Sequence, residues 1–288
     1  MTSKLFPTLV AGLGAVLLTC TTAPPAPSPE QYFADAKNNL AAMEYDMALK
    51  SLSRLVKAAG EQPLGQQGRV LQAALLTAVA DGNKRMAEAY AEGRKQPPAQ
   101  TRAAEFDRMR SDYYGLARVH AIDAMQTLLE HRGSLSEQPI RLEVDFPSFS
   151  GTEPAALGKV KSGVWLDDTG RVQAQLESIR NALARVLASL VGAGDNVHKG
   201  REIFQPGYVQ IDPRVYLLEM SGAFLRVGEI FDRTGLDDPR FRRIGYELAR
   251  DNMDVVLQLL GAKPEKELEG KAKRTKAECE KKLKALGS

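Results

Sequence analysis

The most regular pattern in the chain is the return of apolar residues at intervals of three and four, which predicts amphipathic helices. It is clearest over residues 171–261. Asp212-Pro213 and Asp238-Pro239 each place a carboxylate before a proline, which favours a helix start, and Gly261 favours a stop. Because few residues separate the two helices, we expect them to lie antiparallel within a C-terminal helical region.

The same period predicts a second helical region over residues 30–132. Three helical segments are expected in it, at residues 30–60, 68–94 and 101–131. The first two should each turn back as a hairpin, at Glu44-Tyr45-Asp46 and at Asp81-Gly82-Asn83, because these short polar runs interrupt the apolar period. The third segment is expected to contain a break.

Between the helical regions, residues 138–170 change period and predict a small insert with short strands. Ile140, Leu142, Val144 and Phe146 alternate with polar and charged residues, which is the period of a strand, and Pro147 ends it. Residues 159–166 either pair with that strand or form an irregular loop. The insert would separate the two helical halves or cap one of them.

The first 29 residues differ in pattern from everything that follows. Lys4 precedes a nearly uncharged apolar run from Leu5 to Leu18, and Cys20 follows, which is the layout of a bacterial export signal over residues 1–20. The run is shorter than the roughly 20 apolar residues that a membrane-spanning helix needs. Residues 21–29 contain four prolines and no large apolar side chain, so we expect an extended tether there.

The end of this signal resembles that of bacterial lipoproteins, in which a leucine-containing motif precedes a cysteine that becomes diacylated. Leu17 and Cys20 hold motif positions, whereas Thr19 stands where the family usually has Gly, Ala or Ser. The alternatives are a secretory signal cut near Ala23 and a short anchor. Thr21 is not the aspartate that retains many such proteins at the inner membrane. The resemblance therefore implies the bacterial cell envelope, with a lipid anchor at the outer membrane facing the periplasm.

The hairpin over residues 30–60 resembles a tetratricopeptide repeat. In that family, small residues allow two helices to approach and bulky residues fill the groove between them; here the matching positions are Tyr32, Ala36, Ala48, Leu52 and Leu55. Asn39 and Gly60 depart from the usual aromatic and closing proline. The match extends weakly over about residues 30–130. It implies an all-α fold of stacked antiparallel helix hairpins, an α-solenoid, with the β-containing insert added.

Composition adds that the folded body is nearly neutral. Hydrophobic residues make up 43% and charged residues 26% of the chain, as in a globular protein, and the net charge is +3. The excess positive charge lies in residues 263–288, a predicted basic tail helix that either touches anionic lipid or an acidic partner or is simply solvated. Nothing favours a nucleic-acid surface on the rest. Cys279 is expected to be a free thiol in this exposed tail.

No sequence motif indicates catalysis. The chain lacks a phosphate loop, a dinucleotide glycine pattern, a Gly-x-Ser-x-Gly elbow and a paired-histidine metal motif. His120 and Asp123 could act as a base and its orienter, but a partly buried structural histidine is the simpler interpretation. We therefore expect no enzyme activity, no cofactor and no metal.

The candidate binding residues are aromatic and loop residues that could line a groove. They are Tyr113, Tyr114, Trp165, Asp195, Asn196, His198 and Tyr208. Residues 194–202 form the densest polar run between two helices, so they either contact a ligand or form a capped connector in which Asp195 starts a short helix. The ring of Trp165, the one tryptophan of the chain, suits a binding wall or the packing of the insert against a helix.

Together these patterns favour a membrane-anchored periplasmic scaffold that binds a protein or peptide partner through a helical groove without catalysis. The alternative is a small-ligand-binding lipoprotein accessory to a transporter, with its pocket between the helical halves near Trp165 and Asp195. An enzyme acting on the cell wall would need a carboxylate or nucleophile in a cleft, and no motif indicates one.

Overall fold

The protein is all-α with one small two-stranded sheet. The computed structural model describes residues 26–149, 153–233, 239–261 and 265–287. The predicted export signal and Cys20 lie outside these residues. The helices and strands of the described part are α1 Pro29–Ala41, α2 Tyr45–Ala59, α3 Pro63–Gly93, a 3-10 helix Pro97–Arg102, α4 Ala103–Arg132, β1 Ile140–Leu142, α5 Ala155–Lys161, α6 Asp168–Leu190, α7 Val197–Phe204, β2 Val209–Ile211, α8 Pro213–Arg233, α9 Pro239–Leu260 and α10 Lys266–Gly287.

Helices α1 and α2 form the hairpin predicted over residues 30–60. Ser28 begins α1 with a capping box: its hydroxyl accepts from the Gln31 amide, and the Gln31 side chain accepts from the Ser28 amide. Ala36, Ala48, Leu52 and Leu55 are all buried. The connection is tight, and its Met43 adopts a φ of 59°.

The break predicted at Asp81-Gly82-Asn83 is wrong, because α3 is one continuous helix. A Cβ atom on Gly82 would lie 2.8 Å from the backbone nitrogen of Ile179, so the glycine allows α6 to approach α3 closely. Asn83 donates to the Val79 carbonyl and accepts from the Gln175 side chain. The three turn-like residues therefore serve a contact between helices. The break expected within residues 101–131 is also absent, because α4 is continuous from Ala103 to Arg132.

Of the two alternatives for residues 159–166, pairing with the predicted strand is wrong as well. Residues 155–161 form α5, and β1 pairs antiparallel with β2, with Ile140 opposite Ile211 and Leu142 opposite Val209. The sheet therefore joins the insert to the segment before α8. The pairing covers three residues in each strand, so only the first part of the predicted strand is used.

The core is built around α3, which packs against α1, α2, α4, α5, α6, α8 and β1. Several of these elements are distant from α3 in the chain, and regular stacking of tetratricopeptide-like hairpins is not confirmed. Helix α10 docks on α9 and α8, burying Leu268, Ala272 and Cys279. Cys279 is thus not the exposed tail thiol that we expected, and burial raises its pKa to about 11. Among the described residues, no helix has the length and apolar content of a membrane span.

Candidate functional site

Two of the sequence-predicted aromatics pack in a buried cluster. The ring of Tyr90 stacks on Tyr113 with 5.8 Å between centroids and meets Trp165 edge-on at 6.1 Å. Trp165 is half-buried, and the guanidinium groups of Arg102 and Arg171 lie 5.5 and 5.2 Å from its ring. Burial raises the pKa of Tyr113. These contacts show how both aromatics help hold the insert against α3 and α4.

The polar loop after α6 is a connector that caps the next helix, α7. One of its residues, Asp195, also lines a cavity. Asn196, not Asp195, caps α7, because its side chain accepts from the Lys199 amide at 3.0 Å. His198 is exposed on α7. Tyr208 is also exposed, and its ring lies 4.2 Å beneath the Arg141 guanidinium across the small sheet. Asp195 lines a cavity between the helices.

Three adjoining cavities follow one face of α3, and we call the joined space the α3 groove. The Asp195 end has a volume of about 470 Å³, the middle about 120 Å³ and the Tyr114 end about 640 Å³. Arg85 lines all three cavities, Arg185 joins the first two and Glu153 joins the last two. The shared residues make the three cavities one tract.

The groove lies where α4 and α6 both pack on α3, and a strip of α3 lines its floor. The residues of this strip follow one another at the intervals of one helix face. They are Thr77, Ala80, Asp81, Lys84, Arg85, Glu88, Ala91, Glu92 and Lys95. One wall comes from α4, and the other from α5 and α6. At the Asp195 end, α8 adds Glu219, Ala223 and Phe224.

The Asp195 end is roomy because its wall side chains are small. Alanines contribute to it from four helices, namely Ala80, Ala121, Ala124, Ala182 and Ala223. Phe224 adds one large apolar surface, and acidic and basic residues stand around these apolar ones. A lining that mixes apolar and charged side chains in this way can bury an aliphatic or aromatic group and still orient its polar neighbours.

At the middle of the groove, two arginines share one carboxylate. Arg85 Nε lies 3.0 Å from Asp81 Oδ2, and a terminal nitrogen of Arg185 lies 3.7 Å from the same oxygen. The Arg185 side chain is only 24% exposed. Burial, and next the positive charge of Arg85, lower the pKa of Arg185, while Asp81 and Asp195 oppose this effect. The environment therefore disfavours the positive charge that Arg185 carries.

The Tyr114 end is broader and more charged. Glu153 pairs with Lys161 at 2.5 Å, and Lys84 lies 3.9 Å from Glu88. Tyr114 is buried except for the small surface that it gives to this cavity. Of the seven candidate residues, the groove therefore brings together only Tyr114 and Asp195.

No family model, curated protein or solved structure matches the chain. The functional interpretation therefore depends on the geometry of the described residues.

Among those residues, no group of three or more His, Cys, Asp or Glu side chains is placed to hold a metal. His120 and Asp123 were considered as a base and its orienter. Nδ1 of His120 makes no hydrogen bond to Asp123, because it is buried without a hydrogen-bond partner in the described part of the chain. Burial lowers the pKa of His120, and the charges of Asp123 and Asp46 oppose the change.

Arg85 and Arg185 are not among the site residues that the sequence predicted. The sequence contains a partial indication of Arg85, because charged residues occur at helical spacing from Asp81 to Lys95, directly after a long apolar segment. Asp81, the first of these residues, belongs to the triplet that predicted a turn. A charged stripe on an otherwise buried helix indicates a face that no neighbouring helix covers.

Proposed function

We propose that this protein is a non-catalytic binding protein of the bacterial envelope whose α3 groove holds an extended segment of a protein partner. The observation that carries the proposal is the continuity of the three cavities along α3. From Thr77 to Lys95 the strip is about 27 Å long at 1.5 Å per residue. About eight extended peptide residues would cover that length at 3.3–3.6 Å each.

The chemistry of the groove supports a binding role. Its walls alternate small apolar surfaces with charged groups, so a peptide could bury side chains at the Asp195 end and pair polar groups further along. Several of the acidic groups already pair with basic ones, as Glu153 does with Lys161 and Asp81 with Arg85. Such pairs fix the positions of charged groups along the groove, which suits the recognition of a polar or charged partner.

The proposal includes the anchor that the lipoprotein resemblance implies. Diacylated Cys20 would hold the body at the outer membrane, facing the periplasm, by burying hydrocarbon in the bilayer. Residues 21–28 would separate the anchor from α1, which begins with the capping box at Ser28. The finer fold assignment, a degenerate tetratricopeptide-like array, belongs to the same proposal and is supported by the α1–α2 hairpin.

Panning of random dodecapeptides displayed on phage against the full chain, purified from membranes in detergent, tests the groove. Val186 is half-buried and lines the Asp195 end, so Val186→Trp should fill the groove there. Val119 is 49% exposed on α4 and lines none of the three cavities, so Val119→Trp is the matched control.

We expect enriched peptides that bind wild type and Val119→Trp alike and lose at least about tenfold in affinity for Val186→Trp, because the indole would occupy the space that a peptide side chain fills. Unfolding curves of both variants show whether the fold is kept. The proposal is rejected if no peptide is enriched, or if folded Val186→Trp binds the enriched peptides as wild type does.

The Asp195 end alone supports a second candidate, a small-ligand-binding protein accessory to a transporter. Its volume of about 470 Å³ lies within the roughly 300–1,000 Å³ of small-molecule sites. A thermal-shift screen of free amino acids and dicarboxylates separates the two candidates. A compound that raises the Tm of wild type and not of Val186→Trp, while no peptide is enriched, would favour the small-ligand candidate.

A further inference from the structure

The two arginines at the middle of the α3 groove share one carboxylate as their ion-pair partner. Among the described residues, Asp81 is the one acidic side chain within ion-pair distance of Arg185, and Asp81 also holds Arg85. Both contacts go to the same carboxylate oxygen. The cavity at this point is lined by Arg85, Arg185 and Glu153, and Glu153 pairs with Lys161.

Arg85 and Arg185 lie where a ligand in the groove could reach both guanidinium groups. Arg185 lies where the Asp195 end meets the middle, and it faces both cavities. Its side chain is three-quarters covered, so water screens its charge less than at an open surface. A guanidinium in that position gains more from a new anionic partner than an exposed one does, because it is partly covered and its ion-pair partner is shared with Arg85.

We infer that the middle of the α3 groove is a carboxylate-binding subsite in which Arg85 and Arg185 hold an acidic group of the bound peptide. The inference rests on the proposed function and adds the chemical class that the groove selects. The carboxylate comes either from an Asp or Glu side chain or from a peptide C-terminus, since both present the same two oxygens to the planar guanidinium groups.

The surrounding charges favour a carboxylate over a phosphate. The described lining of the groove contains six acidic residues, of which four line the cavities that Arg185 joins, namely Asp81, Glu153, Asp195 and Glu219. A group with nearly two negative charges would meet stronger repulsion from these residues than a group with one. A single negative charge can pair with the arginines at a smaller cost in repulsion.

A set of three capped amino acids of nearly equal size tests the subsite directly. N-acetyl-glutamate α-amide carries a side-chain carboxylate, N-acetyl-glutamine carries a terminal carboxylate, and N-acetyl-glutamine α-amide is neutral. Each is titrated into the full chain labelled with ¹⁵N-arginine, and the Nε–H resonances of Arg85 and Arg185 are followed by NMR.

We expect saturable shifts of both resonances with one or both charged probes, which would bind about 10- to 100-fold more tightly than the neutral probe. The stronger of the two charged probes identifies the source of the carboxylate. Equal binding of all three probes, or no shift with either charged probe, overturns the inference. Neither result depends on phage enrichment, so the subsite and the peptide groove can fail separately.

Two substitutions with opposite expected signs strengthen the test. Arg185→Gln should abolish the preference for the stronger charged probe over the neutral one, while the Arg85–Asp81 ion pair remains in place. Asp81→Asn removes the carboxylate that competes with the probe for the two arginines. It should tighten binding of the stronger charged probe by about tenfold. General damage to the fold would weaken binding in both variants, so weaker binding by folded Asp81→Asn also counts against the subsite.

Discussion

His131 is a buried ionisable side chain that the fold keeps neutral. It extends from α4, and its Nδ1 lies 3.3 Å from the Tyr216 hydroxyl on α8. Nε2 is buried and has no hydrogen-bond partner within the described ranges. Burial, and next the positive charge of Arg69, lower the pKa of His131 to about 4. Protonation would therefore place a second positive charge in a covered site near a cation.

This residue should make the protein lose stability in mild acid. In the unfolded chain the pKa of His131 is close to the ordinary value of 6.5. Below that pH, the unfolded chain therefore binds a proton at His131 that the folded chain does not bind. Its contribution to stability is complete above pH 6.5 and falls as the pH drops from 6.5 to 4, by up to about 3 kcal/mol. Urea unfolding at a series of pH values measures the loss.

His131→Phe provides the comparison, because phenylalanine fills similar space and does not titrate. It should lack this part of the decline between pH 6.5 and 4, because it has no group to protonate. The exposed His198→Gln should keep the wild-type decline. An unchanged decline in His131→Phe would show that His131 is not the group responsible.

At the scale of helices, the contact between α3 and α6 depends on the absence of a side chain at Gly82. A Cβ atom there would lie 2.8 Å from both the nitrogen and the Cα of Ile179, and neither backbone atom can rotate away. Gly82→Ala should therefore destabilise the fold by about 1–3 kcal/mol through overpacking.

Gly115 is the matched control, because it lies inside α4 and an added Cβ would meet nothing within 4 Å. Gly115→Ala should raise the free energy of unfolding by up to about 1 kcal/mol, since alanine favours the helix more than glycine does. Urea unfolding of the two variants measures both effects. A Gly82→Ala protein as stable as Gly115→Ala would contradict the close contact.

The sequence predicted those helix limits that depend on local chemistry. Asp212-Pro213 marks the start of α8, and Gly261 follows the end of α9, because capping and the missing proline amide act within one turn. The turn predicted at Asp81-Gly82-Asn83 is wrong, because the same residue types suit both a turn and a close contact between helices. Strand β2 was not predicted, since three residues paired with a distant strand carry too little local pattern.

At the scale of the whole molecule, the groove could not be predicted from the sequence. Its walls come from helices that are far apart in the chain, and Arg85 and Arg185 meet only because α6 packs on α3. The pattern predicts that each helix has an apolar face, but it does not specify which neighbour covers that face. The aromatic candidates show the same limit, because the sequence allowed both a binding wall and a packing contact for Trp165.

The proposed anchor makes a prediction for the location of the whole protein. Cys20→Ser removes the acylation site and should move the protein from the membrane fraction to the soluble periplasmic fraction, because hydrocarbon burial no longer holds it. Cys279→Ser is the control and should stay with membranes, since that thiol lies on the buried face of α10. Fractionation followed by immunoblotting checks both. Continued membrane association of Cys20→Ser would argue against lipidation.

The described lining of the α3 groove contains six basic and six acidic residues. A surface balanced in this way creates little long-range field, so it does not draw a charged partner from a distance. Partner capture should then proceed at an ordinary diffusional rate that ionic strength hardly alters. For an anchored protein, confinement to the same membrane surface would replace electrostatic steering in bringing the two molecules together.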